Sequence, residues 1–158
     1  MSARSWLPVL MLALAIPAAH AQPTPPKQPP PPVVVNCDFL EIGASSAAAP
    51  SLDPALQKLK KKFKKPPFSS WNAFTLLTNL NQPLTQKKAE TIKLKQGQAT
   101  ATLLGIVNTS NVRLSISIDD ASGKNWVNTT STFAGGDYVV FGHSLPNNEG
   151  HLLALTCK

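Results

Sequence analysis

The sequence is poor in charge and in the residue types that support redox or soft-metal chemistry. Charged residues make up 15% of the 158 residues, below the roughly 25% of an average soluble domain, whereas hydrophobic residues make up 42%. This composition argues against a highly charged disordered chain and is sufficient for a core. The chain has two cysteines, two methionines and three histidines, and it contains no Gly-x-Ser-x-Gly segment and no glycine-rich phosphate loop. We therefore expect no hydrolase and no phosphate-loop enzyme.

The first 21 residues have the pattern of a secretory signal peptide. Arg4 supplies a positive start, residues 6–19 are mainly apolar, and Ala19-His20-Ala21 is a small-residue cleavage site. The apolar run is shorter than the roughly 20 residues that span a bilayer, and no later stretch approaches that length. We expect cleavage rather than a retained N-terminal anchor, which places the protein in the periplasm or outside the cell. Cleavage removes Arg4 and no acidic residue, so the net charge falls from +7 to +6.

A proline-rich segment follows the leader. Residues 22–32 read QPTPPKQPPPP, and proline fixes φ and removes the backbone donor that a helix or sheet needs. The segment is therefore predicted to be an extended polyproline spacer, with a ligand for a proline-binding groove as the alternative. Residues 33–158 are expected to form one β-rich globular domain.

Short apolar and β-branched segments separated by turn residues predict the fold class. They are residues 33–42, 92–95, 99–107, 112–118, 125–133, 138–142 and 151–157. The clearest is 112–118, where apolar and polar residues alternate strictly. Short connections favour antiparallel pairing. The sequence thus predicts a mainly β protein, an antiparallel β-sandwich or curved sheet of about seven strands with one short amphipathic helix.

The helix signal lies after residue 52. Asp53 is suited to cap a helix whose first residue is Pro54, and Pro66-Pro67 ends it after about three turns. An apolar stripe at helical spacing comprises Leu56, Leu59 and Phe63. We expect this stripe to pack on the sheet.

Two tryptophans of the folded part have different contexts. Trp71 lies in residues 67–77, a segment dense in large apolar groups that is expected to plug the core. Trp126 lies in a polar predicted strand, so its face stays undecided between core and an exposed, sugar-stacking position.

Cys37 lies on the first predicted strand and Cys157 on the last. In an oxidising compartment a pair of cysteines in one domain is usually a disulfide. We expect this bond to close nearly the whole domain and to bring the two chain ends together. A redox pair is not indicated, because there is no Cys-x-x-Cys spacing.

One predicted helix concentrates six positive charges in eight residues, a number equal to the net charge of the mature chain. The lysines in question are Lys58, Lys60, Lys61, Lys62, Lys64 and Lys65. They indicate either the solvated outer face of a helix or a surface that binds a polyanion such as anionic lipid headgroups or acidic polysaccharide. Lysine lacks the bidentate fork of arginine, so specific nucleic acid recognition is not indicated.

Histidines and carboxylates are too scattered for a metal site. His143 and His151 flank a loop with Glu149, and Asp137 lies upstream, but the spacing matches no established ligand set. Asp119-Asp120 precedes Ser122 and Gly123 and is expected to form a hairpin turn rather than a calcium loop. The sequence predicts no metal, no cofactor and no catalytic residue.

Two motifs carry a resemblance. They are PF-x-SW-x-x-F-x-LL at 67–77 and the ending GGDYVVFGHS…EGHLLALT at 135–156. With them the chain resembles a loose set of small exported bacterial β-rich proteins that have no assigned activity. The resemblance implies export and a β-rich fold, and it carries over no functional residue.

The sequence therefore favours a non-enzymatic, exported accessory domain of the cell envelope that presents a binding surface to an envelope partner. The alternative is a polyanion-binding protein acting through residues 58–65. An enzyme of unrecognised type is the third hypothesis.

Overall fold

The computed structural model describes residues 27–158, so the predicted signal peptide and the start of the predicted spacer lie outside the described residues. Residues 27–33 are exposed and carry no helix or strand. The strands that follow are β1 (Val34–Ser45), β2 (Ser51–Leu52), β3 (Ala73–Thr85), β4 (Ala89–Leu94), β5 (Gly97–Val107), β6 (Asn111–Asp120), β7 (Asn125–Ala134), β8 (Val139–Leu145) and β9 (Glu149–Cys157). Between β2 and β3 lie a 3₁₀ helix (Pro54–Leu59), the helix α1 (Lys60–Phe63) and a 3₁₀ turn (Phe68–Ser70), and a further 3₁₀ turn (Pro146–Asn148) joins β8 to β9.

The strands form two sheets. One has the order β2-β3-β1-β9-β8, and the other has the order β4-β5-β6-β7. Every strand pair is antiparallel except β2 with β3. The prediction of a mainly β, antiparallel sandwich-like fold with one short helix is confirmed, with two strands more than the seven outlined from the sequence.

The inner core lies between the two sheets. Its largest fully buried side chains are Phe39, Leu84, Leu103, Leu114, Ile116, Ile118, Leu153 and Leu155. The alternation predicted for 112–118 supplies three of these residues to the core, while Arg113, Ser115 and Ser117 lie on the opposite, more accessible face. Burial of apolar surface between the sheets is the main stabilising contribution to such a fold.

An outer core covers the other face of the five-stranded sheet. Because successive residues of a strand point to opposite faces, β1 serves both cores: Phe39 enters the inner core, and Leu40 and Ile42 enter the outer one. The helical segment 54–63 packs over this outer face and buries the predicted stripe of Leu56, Leu59 and Phe63 completely or nearly so.

The helical segment begins where it was predicted to begin. The Asp53 carboxylate accepts a hydrogen bond from the N–H of Ala55 at 3.0 Å and a second from the N–H of Leu76 at 3.3 Å, so it also fastens the segment to β3. The expected three α-helical turns are not found, since the first half is 3₁₀ and the helix ends at Phe63.

The strand β3 was not predicted. Its first residues belong to segment 67–77, which is expected to plug the core, and no element is predicted from residue 78 to its end, yet the strand pairs with β1 along twelve registered positions. One extra residue, Leu77, is inserted where Glu41 and Ile42 oppose Thr78 and Leu76. The insertion switches the buried face, so Leu76 contacts the outer core and Leu80 the inner core.

The disulfide Cys37–Cys157 is present, as predicted. It joins directly opposed residues of β1 and β9, and both cysteines are fully buried in the inner core. Next to it, the backbones of Asn36 and Lys158 exchange two hydrogen bonds of 3.1 and 2.8 Å. The first and last strands are thereby locked side by side.

Candidate functional site

The six predicted lysines do not share one environment. Leu56, Leu59 and Phe63 point toward the sheet, so the lysines occupy the remaining surface of the segment. The structure divides them into two that contact the turn between β7 and β8, and four that are exposed without such contacts. Of the two that contact the turn, Lys62 has its charge paired with a carboxylate, and Lys58 is held by a neutral hydroxyl.

Lys58 and Lys62 are held by the turn between β7 and β8. The Lys58 ammonium donates a hydrogen bond to the Tyr138 hydroxyl at 2.9 Å and lies 5.2 Å from the centre of that ring. This hydrogen bond raises the pKa of Lys58. Lys62 pairs with Asp137 at 3.3 Å. Both lysines thus help to seat the helical segment on the sheet.

The other four lysines are Lys60, Lys61, Lys64 and Lys65, and all are exposed. Within residues 27–158 their side chains make no salt bridge and no hydrogen bond. Their charges are uncompensated and lie within residues 60–65. The Debye length at physiological salt is about 8 Å, so salt screens these neighbouring charges from one another only in part.

A cavity of about 510 Å³ opens beside these lysines. Its apolar wall is formed by Leu52, Phe63, Trp71 and Phe74, while Lys60 and Lys64 line its exposed side. None of the residues lining it in the described part of the chain is acidic. The cavity therefore combines an apolar interior with a positively charged mouth.

The walls of this cavity are fixed by defined contacts. The rings of Phe63 and Phe74 stack in parallel with centres 4.1 Å apart. The indole N–H of Trp71 donates to the carbonyl of Asn148 at 3.1 Å, outside the cavity. A Cβ on Gly150 would lie only 2.6 Å from the Trp71 ring, so this ring rests directly on the backbone of β9. Trp71 is buried, as predicted.

A second polar cluster lies inside the sandwich and centres on Glu41, which is fully buried. Its carboxylate accepts hydrogen bonds from the backbone N–H groups of Lys95 and Gln96 at 2.7 and 2.8 Å, and from the His151 imidazole at 3.0 Å. Burial alone would raise the pKa of Glu41, but these hydrogen bonds and one from Thr78 outweigh burial and lower it.

The Glu41 cluster connects the two sheets, since Glu41 lies on β1 and the two N–H donors lie in the turn between β4 and β5. His143 and His151 face each other across β8 and β9, and Trp126 stacks on the His143 ring at 5.2 Å. Trp126 is half-buried against the inner core, which settles the face left undecided by the sequence. Glu41 and His151 are both inaccessible to solvent, so the hydrogen bond between them is shielded from water.

The Asp119-Asp120 segment forms the predicted hairpin turn. The Asp120 carboxylate accepts from the backbone N–H groups of Ser122 and Lys124 and from the Ser122 hydroxyl, and the last of these bonds leads in lowering the pKa of Asp120. Asn125 and Gln98 donate to Asp119 and lower its pKa in the same way. In residues 27–158 no three histidine, cysteine or acidic side chains are grouped as metal ligands.

Comparison of the chain with protein-family models, with curated proteins and with solved structures gives no match. Among the helices of the described region, none has both the length and the apolar character needed to cross a membrane.

The structure brings part of the predicted site together and adds to it. The sequence drew attention to the lysines, and Lys60 and Lys64 do meet at one cavity. It gave no reason to join them to Leu52, which is one of only two residues in β2. Glu41 was also missed, because an acid in a largely apolar strand gives no signal until its partners from other strands are known.

Proposed function

We propose that this protein is a non-enzymatic, exported binding domain of the cell envelope that attaches to a polyanionic surface through Lys60, Lys61, Lys64 and Lys65. The observation that carries the proposal is the exposure of these four uncompensated charges on a segment whose apolar side is already buried. The envelope partner expected from the sequence is then the anionic surface itself.

Two further observations support this function. The Cys37–Cys157 disulfide is consistent with an oxidising, exported compartment. The Glu41–His151 pair could in principle exchange a proton, but both side chains are buried, which argues against a catalytic use. Among envelope polyanions, anionic lipid headgroups fit best, because adjacent point charges suffice for a surface on which the negative charges are mobile.

The test measures binding to phosphatidylglycerol-containing vesicles at low and high salt. Each lysine close to an anionic membrane contributes about 1 kcal/mol, so changing all four to Gln is expected to weaken binding by up to about a thousandfold. Raising the salt should weaken binding of the unaltered protein in the same direction.

The matched control changes Lys87, Lys93, Lys95 and Lys124 to Gln, which removes the same charge from exposed positions elsewhere. This variant should lose much less affinity. Equal losses in the two variants would mean that net charge alone acts, and retained binding in the first would refute the proposal. Binding to heparin without binding to vesicles would assign the surface to an acidic polysaccharide instead.

A further inference from the structure

The cavity between the helical segment and the five-stranded sheet has a property that attachment to a charged surface does not use. Four exposed lysines, two in α1 and two just after it, would bind a polyanion without any cavity beneath them. Here two of the four line a cleft of about 510 Å³, within the roughly 300–1,000 Å³ range of small-molecule sites.

The interior of the cavity suits an apolar group. Phe63 and Phe74 present a stacked aromatic pair, and the only polar atom of the Trp71 side chain is engaged elsewhere, on the Asn148 carbonyl. An apolar chain or ring placed against these surfaces would leave no buried polar group unpaired on this wall, which is the condition for favourable burial.

The mouth of the cavity suits an anion. Lys60 and Lys64 are exposed and have no acidic partner in the part of the chain described here. Their long apolar stems can lie along a ligand while the ammonium groups stay in water at its end. Since no acid lines the cavity, a cationic head would be repelled and an anionic head attracted.

The rim is ordered before any ligand arrives. The Asn72 side chain accepts from the N–H of Ala47 and donates to its carbonyl, both at 2.8 Å, so two loops are tied together at the edge of the cavity. A preformed site loses less conformational freedom on binding than one that must assemble.

From this combination we infer that the cavity binds a single-chain amphiphile with an anionic head, its apolar chain lying against Leu52, Trp71 and Phe74 and its head between Lys60 and Lys64. This site goes beyond the proposed attachment to a surface. It requires only two of the four lysines, and it takes one molecule at a time.

Isothermal titration calorimetry with decanoate, below its micelle concentration, tests the inference. The protein should bind one decanoate, and it should bind decyltrimethylammonium, which has the same alkyl chain and a cationic head, much more weakly. No saturable decanoate binding, or equal binding of the two amphiphiles, would overturn the inference.

Two variants locate the head. Lys60→Gln with Lys64→Gln should weaken decanoate binding about tenfold, whereas Lys61→Gln with Lys65→Gln removes the same charge from the same segment outside the cavity and should have little effect. Equal losses in these two variants would show that the lysines act through general charge and would overturn the assignment.

A third variant locates the chain without removing any core contact. Ser69 is exposed at the cavity, so Ser69→Trp should fill it and abolish decanoate binding while vesicle binding persists. Unchanged decanoate binding in a folded Ser69→Trp protein would place the ligand elsewhere. Because Ser69→Trp leaves all four lysines in place, failure of the cavity and failure of the surface attachment are distinguishable.

Discussion

The two cores of this protein share one sheet but are closed to different degrees. The inner core lies between two sheets and contains the buried disulfide and the fully satisfied Glu41 carboxylate. The outer core lies under a short helical segment and a 3₁₀ turn, which leave a cavity open to solvent. The two cores thus differ in what they offer. The closed inner core contributes mainly to stability, and the incompletely covered outer core leaves space for the proposed ligand.

The largest expected effect comes from opening the inner core at the disulfide. Changing Cys37 and Cys157 together to Ala opens a loop whose ends are 120 positions apart in sequence. From the entropy of closing such a loop, we expect the free energy of unfolding to fall by about 4–5 kcal/mol. Urea unfolding with and without reductant measures this loss in both proteins. Decanoate affinity at low urea should be unchanged, since the cavity lies in the outer core. A variant as stable as the oxidised parent would contradict the division between the cores.

The second largest effect is expected for Glu41→Gln, which should lower the free energy of unfolding by about 3 kcal/mol. The amide cannot replace a carboxylate that accepts hydrogen bonds from two backbone N–H groups and from His151. The folded pKa of Glu41 lies below its ordinary value of 4.5, so its contribution is complete above about pH 4.5 and disappears as the pH falls through the lowered pKa.

Urea unfolding from pH 3 to pH 7 checks this dependence. The parent should lose stability toward acid, and Glu41→Gln should show a flatter profile that converges with the parent at low pH. Glu149→Gln, which changes an exposed acid on β9, is the control and should follow the parent. A constant difference between the Glu41 variant and the parent at every pH would mean that Glu41 does not act as a carboxylate.

The smallest effect is expected in the outer core, at Gly150. A methyl group there would lie 2.6 Å from the Trp71 ring, and overpacking of this kind destabilises by about 1–3 kcal/mol. Gly150→Ala should therefore displace Trp71 and also weaken decanoate binding. Gly105→Ala is the control, because its Cβ would meet only the flexible Gln86 amide at 3.4 Å. If Gly150→Ala lowered stability without changing the affinity, Trp71 would not form part of the binding wall.

Much of the fold could be predicted because local signals agreed with tertiary structure. The alternation in β6, the Asp53-Pro54 helix start and the pairing of two cysteines each required only nearby residues or a simple count. The strand β3 could not be predicted in the same way, because the inserted Leu77 changes the buried face midway and Pro83 resembles a strand ending.

The proposed binding site could be predicted only in part, for a related reason. The lysines are close together in sequence, but Tyr138 and Asp137, which engage Lys58 and Lys62, come from a distant turn. The apolar wall likewise combines β2, α1 and the start of β3, which only the tertiary fold brings together. The number of lysines could be counted from the sequence, but which of them contact other parts of the fold and which face only solvent could not be predicted.

The pairing of Asn36 with Lys158 fixes how the molecule can be anchored. From Cys37, β1 runs about 26 Å to Ser45, whose carbonyl accepts from the N–H of Asn72 at the cavity rim. Lys158 therefore lies at the end of β1 that is remote from the cavity. A fluorophore, a carrier or a solid support attached there would not cover the cavity. Molecules immobilised in this orientation would display their basic cleft outward, unobstructed by the linkage.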